Sequence, residues 1–195
     1  GGGTLYLSAP NGGGTGWNIT GGSGFTVNNG TLVFRGGNAT SGNSGNDFTV
    51  NNGGILLLES NYQSSGGDLT LNDGAILRSQ TNAVTVTGGT GNIVLNGTST
   101  ADTLSTMTFT QNLSGAGNLT KTGTGTLNIN AADNTNTGAI TVSAGTLVLG
   151  ATANVATTRL IDVQSGATLN VAATGGGAGL TVAPNQTLAG SGTVL

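Results

Sequence analysis

Short runs in which apolar and polar residues alternate recur along the chain, separated by Gly and Asn. One phrase, an apolar-polar-apolar run followed by turn-forming residues and then Leu-x-apolar, occupies several segments. They are 24–35, 47–59, 68–79, 139–150, 160–171 and, as a partial copy, 179–190. Such period-2 alternation with β-branched residues predicts short strands. Gly interrupts every helical spacing of apolar residues, so no helix is predicted.

The spacing of the phrases predicts a structural repeat. The apolar residue that closes the first strand of each copy is taken as the marker. The markers are Val27, Val50, Leu71, Val86, Phe109, Val142, Val163 and Val182. Most intervals between successive markers are about 21 residues, a length typical of one coil of a repeat protein. The interval from Leu71 to Val86 is shorter, which indicates a shortened coil or a misaligned copy. The interval from Phe109 to Val142 is longer and contains an extra GTGTLNIN.

A strand-turn-strand repeat fits either hairpins in a sandwich or barrel, or the stacked coils of a solenoid. The runs beside the Asn-Gly pairs are too short to bury a face as hairpins. Like residues also recur at equivalent positions, which stacked coils favour. They are Asn28, Asn51 and Asn72; Asn29, Asn52 and Asp73; and Leu32, Leu56 and Ile76. We predict an all-β parallel β-helix, a β-solenoid of about nine coils of roughly 21 residues and on the order of 40 Å long.

In the Leu-x-apolar step, both apolar residues are expected to point inward and the residue between them outward. The inward pairs are Leu32 and Phe34, Leu56 and Leu58, Leu127 and Ile129, Leu147 and Leu149, and Leu169 and Val171. The outward residues are Asn128, Asn170, Val33, Leu57 and Val148, which makes the outer face partly apolar. Arg78 stands where an inward apolar residue is expected. The coil at 68–80 is therefore near an end, irregular, or shifted by one residue.

Residues 115–150 carry the most regular copy, GAGNLTKTGTGTLNINAADNTNTGAITVSAGTLVLG. This run resembles the autotransporter-associated β-strand repeat of bacterial autotransporter passengers. The matching positions are Gly115, Gly117, Leu119, Lys121, Gly123, Gly125, Leu127, Gly138, Val142, Gly145, Leu147 and Gly150. Thr137 replaces the usual aromatic residue before the middle Gly. The resemblance implies a right-handed parallel β-helix that is exported and displayed at the bacterial cell surface.

We expect residues 1–195 to form a single solenoid segment of a longer passenger, truncated at both ends, because neither terminus offers a polar cap. The expected partners are neighbouring passenger segments or identical copies stacked end to end, and host or bacterial surface molecules. Net charge is −3 and the four cations are scattered, so nucleic acid is not an expected partner. No run of about 18 apolar residues predicts a membrane span.

The absence of His and Cys excludes histidine triads, cysteine nucleophiles, disulfides and ordinary zinc sites. Asp47 and Asp68 stand at equivalent places, so they form either a glycosidase-like carboxylate pair or, as we favour, a stack of turn residues. Arg35 and Glu59 are expected to pair on the outer face. The Gly-rich runs 41–50 and 88–95 lack the regular Asp residues of calcium repeats.

Three aromatic residues, Tyr6, Trp17 and Tyr62, are expected to pack against the chain rather than to bind a ligand. We therefore expect no catalytic, cofactor or metal residue. The predicted function is that of a non-enzymatic spacer, stalk or adhesion segment of a secreted surface protein. The alternatives are a self-assembling extracellular fibre and an enzyme acting on polysaccharide.

Overall fold

The computed structural model describes residues 2–8, 24–36, 39–41, 47–64 and 66–195. The strands of the first half are β1 Gly3–Ser8, β2 Phe25–Val27, β3 Gly30–Arg35, β4 Ala39–Ser41, β5 Phe48–Val50, β6 Gly54–Leu58, β7 Tyr62–Ser64, β8 Leu69–Asn72, β9 Ile76–Ser79, β10 Val84–Gly88 and β11 Ile93–Asn96. Those of the second half are β12 Thr98–Thr103, β13 Met107–Phe109, β14 Leu113–Ser114, β15 Asn118–Thr122, β16 Thr126–Ile129, β17 Ala139–Val142, β18 Thr146–Leu149, β19 Leu160–Val163, β20 Thr168–Asn170, β21 Thr187–Gly190 and β22 Thr193–Val194. A four-residue helical turn, α1 (Thr174–Gly177), lies in a Gly-rich loop.

The strands form three parallel sheets in which each strand pairs with its counterpart in the next coil. Sheet 1 has nine strands, in the order β1-β3-β6-β9-β12-β15-β17-β19-β21. Sheet 2 has eight strands, β22-β20-β18-β16-β13-β10-β7-β4, and sheet 3 has five, β14-β11-β8-β5-β2. The predicted all-β parallel β-solenoid is confirmed. The right-handed winding implied by the resemblance stays a prediction.

Sheet 3 ends at β14, so coils in the two halves of the solenoid differ. In the first half, each coil passes through sheet 3, sheet 1 and sheet 2 in turn, as in β5, β6 and β7. In the second half, loops at 130–138, 150–159 and 171–186 occupy the chain positions between sheet 2 and sheet 1. The solenoid therefore has two sheets that continue to its C-terminal coil and a third side that changes from strand to loop.

The predicted number of nine coils is too high, because the chain makes about seven turns. Coil length varies along sheet 1, where Ala101 pairs with Lys121 in a short coil and Leu5 pairs with Leu32 in a long one. Loops of different length between the strands cause this variation, and longer coils leave fewer turns for the same chain. The nine strands of sheet 1 still span on the order of 40 Å.

The markers used to count the repeats belong to three different sheets. Val27, Val50 and Leu71 are partners in sheet 3, Val86 and Phe109 are partners in sheet 2, and Val142 and Val163 are partners in sheet 1. The short interval after Leu71 and the long interval after Phe109 therefore mark changes of sheet, not a shortened or extended coil. Val182 lies outside the strands in an exposed loop.

The predicted register is wrong by one residue at Ile76. Ile76 pairs with Ile55, while Leu77 pairs with Leu56 and is fully buried. Arg78 therefore takes an outward position, and of the three explanations for this coil the one-residue shift is correct. Because side chains alternate across a strand, this one shift reverses the facing of the whole strand.

One core cluster extends along the solenoid. The predicted inward pairs are buried, except that Val171 is only partly buried. Val33, which was predicted to face outward, is also buried, although it does not belong to the core cluster. Tyr62 is fully buried and its ring centroid lies 5.4 Å from that of Phe48. Packing is thus confirmed for Tyr62, whereas Tyr6 is exposed and Trp17 lies outside the described residues.

Candidate functional site

The outer face of sheet 1 carries an ion pair between adjacent coils. Arg35 Nε donates to Glu59 Oε2 at 2.7 Å, and Arg35 Nη2 donates to Glu59 Oε1 at 3.0 Å. The hydrogen bond to Glu59 raises the pKa of Arg35 further above its usual value. The Arg35 guanidinium also lies 4.7 Å from the centre of the Tyr6 ring. The predicted pair is confirmed, and it is an exposed cross-coil contact.

A second ion pair follows on the same face. Arg78 Nε donates to Asp102 Oδ2 at 2.7 Å, and the Thr122 hydroxyl donates to Asp102 Oδ1 at 3.1 Å. These three residues are register partners in consecutive coils. Sequence reasoning missed this chain of contacts because it placed Arg78 on the inward side.

Asp47 and Asp68 are stacked at the corner that precedes sheet 3. The backbone amide of Asp68 donates to Asp47 Oδ1 at 3.0 Å, and the amide of Asn92 donates to Asp68 Oδ1 at 2.8 Å. Each carboxylate thus binds the backbone of the following coil. This is the stacked-turn arrangement, in which an aspartate satisfies an amide at a corner.

A ladder of asparagines marks the corner between sheet 3 and sheet 1. Asn51 Nδ2 donates to Asn28 Oδ1 at 2.7 Å, Asn72 Nδ2 donates to Asn51 Oδ1 at 2.5 Å, and Asn96 Nδ2 donates to Asn72 Oδ1 at 2.9 Å. The predicted stacking of Asn28, Asn51 and Asn72 is confirmed and extends by one coil. Each inner amide both donates and accepts, so these side chains add a hydrogen-bonded ladder that runs from coil to coil beside that of the backbone.

Lys121 lies inside the solenoid and is fully buried. It occupies an inward position of β15, between Ala101 of the preceding coil and Val142 of the following coil. Its Nζ donates to the carbonyl oxygens of Thr122 at 2.8 Å, of Gly123 at 2.9 Å and of Ala144 at 2.9 Å. Burial lowers the pKa of Lys121 to about 8, and Asp102 opposes this shift. The alternation of β15 gives Lys121 an inward position. The sequence analysis did not assign it to the core, because a charged side chain is not expected there.

Buried amide side chains connect the coils where sheet 3 has ended. Asn134 accepts from the Leu113 amide at 2.7 Å and donates to the Ala131 and Asn154 carbonyls at 2.8 and 2.9 Å. Gln186 Nε2 donates to the Val155 carbonyl at 2.7 Å. These side chains replace hydrogen bonds that strands make in the first half, and sequence reasoning assigned them no role.

Two open depressions of about 440 Å³ each are present in the described part of the chain. The first lies among β1, β2 and β3, and the second lies between the loops at 153–156 and 174–184. Among the described residues, none that lines either depression is charged. Neither depression therefore brings an acid and a base together.

The described residues contain no cluster of three or more acidic side chains that could hold a metal ion. Within the same residues, no helix has the length and apolar character needed to cross a membrane. The polar side chains described above instead make contacts between coils.

Residues 119–149 match the family model described as Passenger-associated-transport-repeat. This segment of the chain is similar to the passenger-associated-transport-repeat. This repeat runs from β15 to β18 and includes Lys121 with its three carbonyl partners. The resemblance seen at 115–150 is thereby confirmed, and the repeat and the solenoid together fit a segment of an autotransporter passenger. The family of the repeat implies a surface or secreted location. Neither the curated proteins nor the solved structures gave a match.

Proposed function

We propose that the chain is a rigid, non-enzymatic spacer within an autotransporter passenger, displayed at the bacterial cell surface. One observation carries the proposal: many of the described charged and amide side chains bind the neighbouring coil. Arg35, Asp68 and Asn72, on different parts of the solenoid, all contact a residue 21 to 24 positions away. A chain that uses its polar groups in this way gains stiffness along one axis.

Three kinds of interaction connect the coils along that axis. The backbone hydrogen bonds of parallel sheets run from coil to coil. Side-chain ladders add a second set at the corners, as between Asn51 and Asn28. The apolar core extends through the coils, from Leu32 near one end to Leu169 near the other. Bending the solenoid would strain all three at once, which supports a spacer role.

A self-assembling fibre is the second candidate. Its support is the exposure of apolar residues in strands at the two ends of sheet 1, Leu5 in β1 and Leu188 in β21. Unpaired strand edges with apolar side chains favour pairing with another chain. End-to-end contact between copies would extend the same sheets.

X-ray scattering and electron microscopy of the purified chain over a hundredfold concentration range distinguish these roles. A spacer gives single stiff particles with a stack on the order of 40 Å long at every concentration. Fibres that lengthen with concentration would favour self-assembly. A scattering profile of a flexible chain would contradict both.

The non-enzymatic part of the proposal has its own test. The chain is incubated with a panel of bacterial and plant polysaccharides, and new reducing ends are measured. We expect no release above that of the Asp47→Asn, Asp68→Asn double variant. Release by the wild type alone would show that the stacked carboxylates are catalytic and would overturn this part.

A further inference from the structure

Lys121 is the only lysine in the sequence, and its ammonium group is surrounded by backbone oxygens. Thr122 and Gly123 supply two of these oxygens from the end of β15, and Ala144 supplies the third from the turn between β17 and β18. A primary ammonium has three N–H donors, so each donor has one acceptor. The group is therefore fully hydrogen-bonded although it is buried.

No carboxylate forms an ion pair with this ammonium in the described part of the chain. The two ion pairs found there join Arg35 with Glu59 and Arg78 with Asp102. Asp102, whose charge acts on Lys121, is itself bonded by Arg78 and Thr122. The positive charge of Lys121 is thus balanced at short range by carbonyl dipoles.

The surrounding residues leave space for the lysine stem and its terminal group. Its partner in the preceding coil is Ala101, one of the smallest core residues. Gly145, which follows Ala144, has a φ of 66°, and a Cβ there would lie 2.9 Å from Lys121 Nζ. A small residue is thus the strand partner of Lys121, and a second one, Gly145, lies beside the ammonium, where a larger side chain would displace it.

We propose that the carbonyl oxygens of Thr122, Gly123 and Ala144 form a binding site for a primary ammonium ion, shared by two coils, in which Lys121 is the tethered native ligand. The site goes beyond the spacer role and does not depend on it. Its consequence is local: the turn after β15 and the turn after β17 are held by one group. Removing the tether leaves a site that a small free ammonium can occupy.

Chemical rescue tests this inference. The Lys121→Ala variant deletes the tether, while Lys121→Met fills the same space with a side chain that has no donor. Melting temperatures of both variants and the wild type are measured in methylammonium, ammonium, sodium and tetramethylammonium chloride at equal ionic strength. Tetramethylammonium carries the same charge but has no N–H donor, so it is the matched control ligand.

We expect methylammonium and ammonium to raise the melting temperature of Lys121→Ala above its value in the two control salts. At a concentration about five times the dissociation constant, the difference is roughly 2–4 °C for a chain of this size. Lys121→Met and the wild type show no such difference. Equal shifts in all four salts, or equal selectivity in the Ala and Met variants, would overturn the proposal.

If Lys121→Ala does not fold alone, its refolding yield in the same salts replaces the melting temperature, and selective recovery in methylammonium supports the site. A measurement on the wild type gives a second test. Labelling lysine with ¹⁵N at Nζ yields one signal, since Lys121 is the only lysine. At pH 6 we expect an NH₃⁺ group protected from solvent exchange. An Nζ signal exchanging as fast as that of the urea-unfolded chain would overturn the assignment.

Discussion

Asn96 donates a hydrogen bond of 2.9 Å from its side-chain amide to the side-chain oxygen of Asn72, its register partner one coil away. Asn72 in turn donates to Asn51, so it is an inner member of the ladder, whereas Asn96 is its last member. The two residues have the same side chain and lie at the same corner of the solenoid. They differ in the number of ladder bonds that depend on each.

This difference predicts unequal effects of the same substitution. Asn72→Ala removes one donated and one accepted ladder bond and leaves Asn51 Oδ1 and Asn96 Nδ2 without their ladder partner, so we expect a loss of about 1–3 kcal/mol in the free energy of unfolding. Asn96→Ala removes one bond at an exposed end, and its loss is about 0.5–1 kcal/mol. Urea denaturation of both variants measures the values. Equal losses would show that the ladder does not act as a connected series.

The one-residue register shift in β9 gives a second prediction. Leu77 is fully buried, so Leu77→Ala should cost about 2–5 kcal/mol through lost burial and a cavity. Arg78→Ala removes a partly exposed ion pair with Asp102, and the expected loss is under about 1 kcal/mol. The denaturant midpoints of the two variants, compared with that of the wild type, show which of the two substitutions costs more stability. The opposite order would place Arg78 inside and restore the register that the repeat alignment predicted.

Close stacking of two coils predicts a high cost for a side chain at Gly138. A Cβ at this position would overlap the carbonyl oxygen of Gly117 in the preceding coil. Gly166 is the control: its φ is 81°, but a Cβ there meets nothing within 4 Å. We expect Gly166→Ala to cost about 1–2 kcal/mol from backbone strain alone, and Gly138→Ala to cost more because the coils must separate. Thermal denaturation compares the two, and a Gly138→Ala variant as stable as the wild type would contradict the close approach.

The lowered pKa of Lys121 predicts a pH dependence of stability. Its pKa is about 8 in the folded chain and 10.5 when the residue is free of its surroundings. Between these values the unfolded chain binds more protons than the folded chain, so the free energy of unfolding rises with pH. Below pH 8 the group is charged in both states and contributes no slope. Over the window the rise is on the order of 1–3 kcal/mol.

Lys121→Met lacks this titration and supplies the control. The difference in unfolding free energy between the wild type and Lys121→Met is measured by urea denaturation at pH 7 and pH 10. We expect the unfolding free energy of the wild type to increase relative to that of the variant as the pH increases. A difference that is constant with pH would mean that the carbonyl oxygens cancel the effect of burial.

The solenoid and part of its corners could be predicted from the sequence. Stacked like residues such as Asn28 and Asn51 identified both the parallel arrangement and the true partners, because a corner admits few residue types. The assignment of runs to sheets could not be predicted, since all three sheets use the same apolar-polar-apolar run. Leu71 and Val86 look equivalent in the sequence but belong to sheets 3 and 2.

The environment of Lys121 could not be predicted from the sequence for a different reason. Strand alternation gives the same facing for Leu119 and Lys121, yet a lysine is rarely buried without a charged partner. The group that completes its surroundings, the Ala144 carbonyl, belongs to the turn between two later strands of the next coil. Backbone oxygens carry no residue identity, so their convergence becomes visible only once the coils are stacked.

Sheet 3 stops at β14, while sheets 1 and 2 continue to β21 and β22. Differences in coil length can therefore be absorbed on one side of the solenoid without disturbing the other two. The long step from Val163 to its register partner Gly190 shows this, since the loop that contains α1 lies within it. The length and sequence of that side can therefore change from coil to coil, while the two continuous sheets keep the fold constant.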